Sequence, residues 1–425
     1  MLHSSISAQR RGAVFCIVLS AAFILILGSC SAGRGKTAVL WTDRPEFALY
    51  TEYFNSSQDQ YKVETRYFES PAQRLIGAGV YPDIVVGSWL KSASTRAFFK
   101  PLDGFLKNRS ITSNAFYPRL LALGKIEGRQ YLLPVSFNIP ALVFARDKQD
   151  LLSNPFTIGF DEIKTLGKAF NAENNGVYTR MGFSPAWNDD FLFITAALFN
   201  TSFREADPLA WDQAALERAM TFVYDWTTGV NTSVQAEEDF TFKYFYEPPE
   251  KLALSGRILF AYLDSSALFT LAEDQRSSLD FRWVAEKSAI PLIGGSVYYG
   301  IPKQGKAKKA AAAFTRWFFQ ADTQRLLLEK SREIRLIETS FGLAGGFSAL
   351  RPVTEQIFPQ FYPSLLGRMP PENFLFPPNI LPWNWTAIKE RVILPYLHER
   401  VRHVSRDEIR PLERRISEWH RLNRD

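Results

Sequence analysis

Several short stretches of this chain set an aromatic side chain beside small polar ones: Trp41-Thr42, Ser88-Trp89, Phe137-Asn138, Trp187-Asn188-Asp189 and Trp383-Asn384. Asp264-Ser265 adds a further short polar pair, Glu69 a carboxylate and Gly295-Ser296 a flexible polar kink. The chemistry this combination supports is recognition of a polyhydroxylated molecule. The C–H face of a sugar stacks on an indole or phenyl ring, and its hydroxyls need several donors and acceptors placed around them. For any single pair, core packing or helix capping accounts for the residues equally well. The recurrence is what carries the reading.

Other chemistries find little support. Of the four histidines, His3 lies near the N-terminus and His398, His403 and His420 fall in charged helical sequence near the C-terminus. His398 and His403 are five apart, with Glu399 as the acid between them, a spacing that reads as a helix surface and not a metal site. No serine elbow, phosphate-cradling glycine loop or CxxC is present, and no cofactor or metal is expected. Paired acids occur at Asp189-Asp190 and Glu237-Glu238-Asp239. Such pairs could cleave a glycosidic bond if the fold set them at the right separation. The Glu237 run reads as a solvated loop, whereas Asp189 beside Trp187 could face a ligand.

The elements that must position these residues begin with Thr37–Thr42, a buried strand by pattern, followed by Glu46–Asn55, whose Phe47, Tyr50 and Phe54 share one helical face. Tyr61–Phe68 alternates as a second strand, Ser70-Pro71 opens a helix as cap and first residue, and Ile84–Val86 is a third strand. Strand–helix–strand–helix–strand is the open α/β pattern, whose ligands sit outside the carboxyl ends of the strands. Trp41, Glu69, Ser88 and Trp89 fall at those ends. Lys125–Leu133 reads as a hairpin through Gly128. Later, Asp189–Phe199 and Leu209–Thr227 read as helices, Phe240–Glu250 as an aromatic, proline-containing loop, and Gly256–Leu263 as a strand. Lys306–Gln320 is strongly amphipathic.

Between them lies Tyr131–Asp147, uncharged from Leu132 to Ala145 as in a strand buried on both faces, yet interrupted by Pro134 and Pro140. Two core strands joined by a turn would explain it. So would a path between two lobes, with Phe137-Asn138 exposed in the cleft. A chain of 425 residues is long enough for two lobes.

The N-terminus carries an address. Arg10-Arg11, an apolar run over 13–27 and Leu27-Gly28-Ser29-Cys30 have the parts of a secretory signal ending in a lipobox, with Cys30 the residue to be lipidated. The run is short for a membrane span. The other cysteine, Cys16, lies within the segment to be removed, so neither a disulfide nor thiol chemistry is expected. Loss of Arg10 and Arg11 takes the net charge from +6 to +4, too mild to argue for nucleic acid.

The order of several motifs resembles the carbohydrate-type extracellular solute-binding proteins, lipoprotein receptors of ATP-binding-cassette importers related to maltose-binding protein. Tyr81-Pro82-Asp83 before Ile84–Val86, Gly128 and Tyr131 before Pro134 and Asp147, Ser255–Ile258, and Gly294-Gly295-Ser296 before Ala310–Phe319 carry the resemblance. Phe144-Ala145-Arg146-Asp147 departs from the family's usual Tyr-Asn-Lys-Asp. The resemblance implies an α/β, two-lobed periplasmic-binding-protein-like fold with a ligand cleft between the lobes. A signal peptide over 1–30 and a tether over 31–36 precede an N-terminal lobe of 37–143 plus 296–338 and a C-terminal lobe of 144–295 plus 339–425. Crossovers are expected near Pro140–Arg146, Gly294–Ser296 and Leu336–Phe341. It also implies a non-catalytic, monomeric receptor, held outside the cytoplasm by lipid on Cys30, that delivers a carbohydrate to permease subunits. Trp41, Glu69, Ser88, Trp89, Phe137, Asn138, Trp187, Asp189, Asp264, Gly295, Ser296 and Trp383 are the candidate ligand contacts. A ligand-presenting signalling ectodomain and a secreted carboxylate hydrolase are the rival readings.

Overall fold

The computed structural model describes residues 35–107, 111–369, 371–402 and 409–423. The expected signal peptide, Cys30, most of the tether and His403 lie outside the described residues. In chain order, the elements that position the site begin with β1 (Thr37–Thr42), α1 (Phe47–Ser57), β2 (Lys62–Tyr67), α2 (Pro71–Ile76) and β3 (Ile84–Gly87). Next come β4 (Leu132–Asn138), β5 (Pro140–Ala145), β6 (Thr157–Ile158), α3 (Phe160–Phe170), α4 (Asp189–Leu198), α5 (Gln213–Val230) and α6 (Val234–Tyr244). The chain continues through β7 (Ala261–Asp264), α7 (Ser265–Thr270), β8 (Leu279–Val284), β9 (Ile293–Gly300), α8 (Lys308–Phe318), α9 (Ala321–Glu333) and β10 (Phe347–Ser348). It ends in α10 (Leu394–Arg402) and α11 (Leu412–Leu422).

Two sheets organise two lobes. The first has six strands in the order β10-β4-β9-β3-β1-β2, and the second four in the order β7-β5-β8-β6. In the first sheet β1 runs parallel to β2 and β3, while β9 is antiparallel to both β3 and β4. The parallel half is built as its periodicity demands. Phe47, Tyr50 and Phe54 of α1 are buried, and their rings meet Phe318, Phe314 and Trp317 of α8 at centroid separations of 5.2–5.3 Å for Phe47–Phe318, Phe54–Phe314 and Phe54–Trp317. Ser70 caps α2 by accepting the Gln73 N–H, with Pro71 at the first helical position. Buried Asp83 ties the layers together: its carboxylate accepts the Val39 N–H of β1 at 2.9 Å and the Ala307 N–H ahead of α8 at 2.6 Å. The Pro-Asp pair before β3 therefore satisfies backbone donors that would otherwise be buried unpaired.

Sheet membership fixes where the chain changes lobe. β4 ends in the first sheet at Asn138, and β5 begins in the second at Pro140, so the first crossover is Ile139. The boundary expected at residue 143 falls inside β5. The return path runs through Ile290–Pro291 into β9, which enters the first sheet at Ile293, where it pairs with Asn138. The chain beyond Leu336–Phe341, by contrast, is still in the first lobe. β10 pairs with β4, Phe347 opposite Phe137 and Ser348 opposite Ser136, and so holds residues up to 348 in the first lobe. The loop expected at Phe240–Glu250 is in part helix: α6 extends to Tyr244 because buried Glu237, Phe240 and Tyr244 face the lobe interior. The strand expected over Gly256–Leu263 is confined to Ala261–Asp264.

The hinge is aromatic. Phe137 and Phe347 of the first sheet lie 5.6 Å apart, and Phe347 meets Phe269 at 6.2 Å and Trp283 at 5.9 Å on the second-lobe side. One buried cluster therefore runs from one lobe into the other. Two tryptophans are exchanged as well. Trp89 of the first lobe packs on the cluster of α5 and α10, and Trp383 of the C-terminal segment packs on the first-lobe cluster around Leu90 and Tyr298. Among the described residues no helix is long and apolar enough to cross a membrane.

Candidate functional site

A cavity of about 410 Å³ opens between the lobes beside the crossover strands. The loop after β1 contributes Arg44 and Glu46, β4 contributes Ser136 and Asn138, and the β9 turn contributes Gly294 and Gly295. Asp264 and Ser266 enter from the second lobe, and Ser340 and Gly345 from the loop that leads to β10. This is the strand-end position expected of an open α/β sheet, completed by a second lobe.

On the first-lobe wall, Arg44 pairs with Asp43, Nε to Oδ1 at 3.1 Å, and donates from a terminal nitrogen to the Ser88 hydroxyl at 3.3 Å. Burial pushes the Asp43 carboxyl up, and the Arg44 guanidinium and Ser88 N–H pull it part of the way back. The Ser340 hydroxyl donates to Glu46. Asn138 spans the hinge. Its amide donates to the Gly345 carbonyl at 2.8 Å, and its carbonyl oxygen accepts the Ser265 hydroxyl at 2.6 Å.

On the second-lobe wall, Asp264 caps α7, accepting the Ala267 N–H at 2.7 Å. Burial raises its pKa, and the nearby Asp190 carboxylate adds to the rise. Gly295 adjoins a second, smaller cavity, which Trp89, Ser296 and Asn379 also line. The Trp89 ring lies where a side chain on Gly295 would be, within 2.7 Å of a Cβ, and Gly295 has φ +75°. Trp89 Nε1 then reaches Thr386 Oγ1 of the other lobe at 3.2 Å. The walls thus offer carboxylates, a guanidinium, amides and hydroxyls from both lobes, with an indole at one end. They can clamp a neutral polyol.

The structure brings Asn138, Asp264 and Gly295 together at the main cavity, Trp89 and Ser296 at the adjoining one, and Ser88 behind Arg44. Phe137 also borders the main cavity, although its ring is buried and packs in the first-lobe core against Tyr117 and Phe347. The other expected residues are elsewhere. Trp41 is 5% exposed and packs on Phe68 with the Arg74 guanidinium over its ring, and Glu69 is exposed outside both cavities. Trp187 stacks on Phe240, 5.7 Å between centroids, and Asp189 pairs with His398 at 2.7 Å, both on a second-lobe face. Asn188 between them caps α4. Trp383 serves the lobe-to-lobe packing described above. Asp43, Arg44, Glu46, Ser340 and Gly345 were missed. The first three were legible as a turn at the carboxyl end of β1, the position ligands favour in this topology. Among the described residues, no group of three or more metal-ligating side chains gathers.

These features define a two-lobed receptor fold, and the comparisons agree. The model of the bacterial extracellular solute-binding protein family matches residues 50–334, and the chain belongs to that family, one of binding proteins and not of enzymes. No individually curated protein matches the sequence. Among solved structures, a cyclic alpha-maltosyl-1,6-maltose binding protein from Arthrobacter globiformis superposes with TM-score 0.59 at 17% identity, covering 90% of this chain and 96% of that one. The maltose/maltodextrin-binding domain MalE from Bdellovibrio bacteriovorus, bound to maltotriose, gives 0.55 at 14%, covering 92% and 100%. CpMnBP1 with mannotriose bound gives 0.58 at 13%, covering 90% and 98%. At these identities the likeness speaks for the fold.

Proposed function

We propose that this protein is a lipid-anchored extracytoplasmic receptor that captures a sugar or oligosaccharide between its lobes and delivers it to the permease subunits of an ATP-binding-cassette importer. The observation that carries the reading is the inter-lobe cavity, lined from one side by Arg44, Glu46 and Asn138 and from the other by Asp264 and Ser266. Carboxylates and a guanidinium are the groups that exchange water for sugar hydroxyls with least loss, because charge-assisted hydrogen bonds are the strong ones. Trp89 supplies a ring at the adjoining cavity. The similar structures solved with maltotriose and mannotriose bound support the ligand class.

Capture works through the hinge. A ligand held by both walls binds the closed form better than the open one, and turning a mostly open population into a mostly closed one takes about 5.5 kcal/mol of differential binding. Two or three charge-assisted bonds to the far wall supply that amount, at roughly 1.5–3 kcal/mol each. A lipidated Cys30 would keep the receptor at the membrane, with more than one acyl chain, since one alone binds marginally. Mass spectrometry of the ligand that co-purifies with the protein tests the ligand class. A saccharide is expected, and a different solute class recovered at equal stoichiometry with the protein overturns it. Fractionation of Cys30→Ala tests the anchor: release from the membrane is expected, and retention overturns it.

A further inference from the structure

A separate pocket of about 290 Å³ lies where the N-terminal end of β8 and the end of α7 meet the segment 363–368. It shares no lining residue with the inter-lobe cavity. Three arginines line it, Arg146, Arg276 and Arg368, against a single carboxylate, Asp280. That carboxylate is already committed. Arg368 donates to one oxygen, and buried Arg282 to the other at 3.1 Å. Burial alone would raise the Asp280 pKa, but these hydrogen bonds and the Phe281 N–H together hold it below the usual range.

The other two guanidiniums are held in place by backbone and not by acids. Arg146 donates to the Leu279 carbonyl at 3.1 Å and Arg276 to the Phe269 carbonyl at 3.0 Å. Each contact uses one of five N–H donors and neutralises no charge. The pocket therefore carries an excess of two positive charges over its one acid, with planar donor forks fixed around it. Such forks match tetrahedral and carboxylate oxyanions in bidentate geometry. A protein gains nothing in stability by gathering like charges around a concavity that nothing neutralises. We propose that this pocket is a second ligand site, which binds a phosphate group, free or carried on a small molecule, between the second lobe and the 363–368 segment.

The test is calorimetric titration of the full chain with inorganic phosphate and, separately, with glycerol 3-phosphate, at constant ionic strength. Saturable binding at one site is expected for at least one of the two. Equal binding of both assigns the phosphate group itself as the ligand, and preference for the ester assigns a carried phosphate. The pair Arg146→Gln with Arg276→Gln is expected to weaken binding by roughly tenfold or more, the size of at least one charge-assisted hydrogen bond. The variants should still unfold in one cooperative thermal transition, because each loses a hydrogen bond to a backbone carbonyl but no pairing with a buried acid. Arg276→Lys should recover part of the affinity. No saturable binding of either probe, or unchanged affinity in the double variant, overturns the proposal.

Discussion

The Ser265 hydroxyl donates to the Asn138 side-chain carbonyl at 2.6 Å, joining the first residue of α7 to the last residue of β4 across the point where the chain changes lobe. The same hydroxyl accepts the Ile139 N–H at 3.2 Å, and the Asn138 amide donates to Gly345. Lobe position is therefore written into one side chain that each lobe contacts. Asn138→Leu removes both contacts and leaves the Gly345 carbonyl without its donor, at a cost of about 1–3 kcal/mol. Small-angle scattering of the ligand-free variant should show a larger radius of gyration than the parent, and an unchanged radius would deny the hinge role.

Asp83 holds two buried N–H groups that belong to different layers. Asp83→Ala leaves both unsatisfied, and the expected loss of stability is about 2–5 kcal/mol, read from the urea midpoint at unchanged slope. Asp83→Asn, which offers only one accepting oxygen, should fall between variant and parent.

Gly295 has φ +75° and faces the Trp89 ring. Gly295→Ala pays about 1–2 kcal/mol for a left-handed L-residue and in addition displaces the indole. The fluorescence maximum of Trp89, isolated as the difference between parent and Trp89→Phe, should move to the red. A spectrum identical to the parent's would show that the ring tolerates the methyl group.

Glu237 is buried in the second lobe, accepting from Ser184 at 2.8 Å and Asn231 at 2.7 Å, and burial pushes its carboxyl from 4.5 to about 7. Between those values the folded state holds a proton that the unfolded chain has released, so stability falls as pH rises from about 4.5 to about 7 and is flat in this contribution above. The shift is worth about 3 kcal/mol at 1.36 kcal/mol for each pKa unit. Glu237→Gln should flatten that slope and be the more stable protein at pH 8, measured by urea unfolding across the range. Parallel pH profiles for the two proteins would contradict the assignment.

What could be read from the chain was local. The α1 face, the Ser70 cap and the hairpin through Gly128, where Lys125–Ile126 pairs with Arg129–Gln130, follow from periodicity and turn chemistry alone. Asp264, in one of the pairs for which capping was an equal explanation, does cap its helix. The site was half legible because an aromatic next to a polar residue looks the same in a core, at a cap or in a cleft. Phe137 points into the sheet's packed face while its neighbour Asn138 points out, since alternate residues of a strand face opposite sides. Ser340 and Gly345 could not be found, because only the antiparallel addition of β10 to β4, across some 200 residues of sequence, brings their loop to the cleft.

Calorimetric titration with mono- and oligosaccharides, run on the parent, Arg44→Ala and Asp264→Ala, tests whether a carbohydrate binds between the lobes. One saccharide should bind the parent at one site, and each variant, having lost a charged partner on one wall, should bind it roughly tenfold or more weakly. Absence of binding by every sugar while another class of solute binds tightly, or equal sugar affinity in all three proteins, would rule out carbohydrate capture by these two walls.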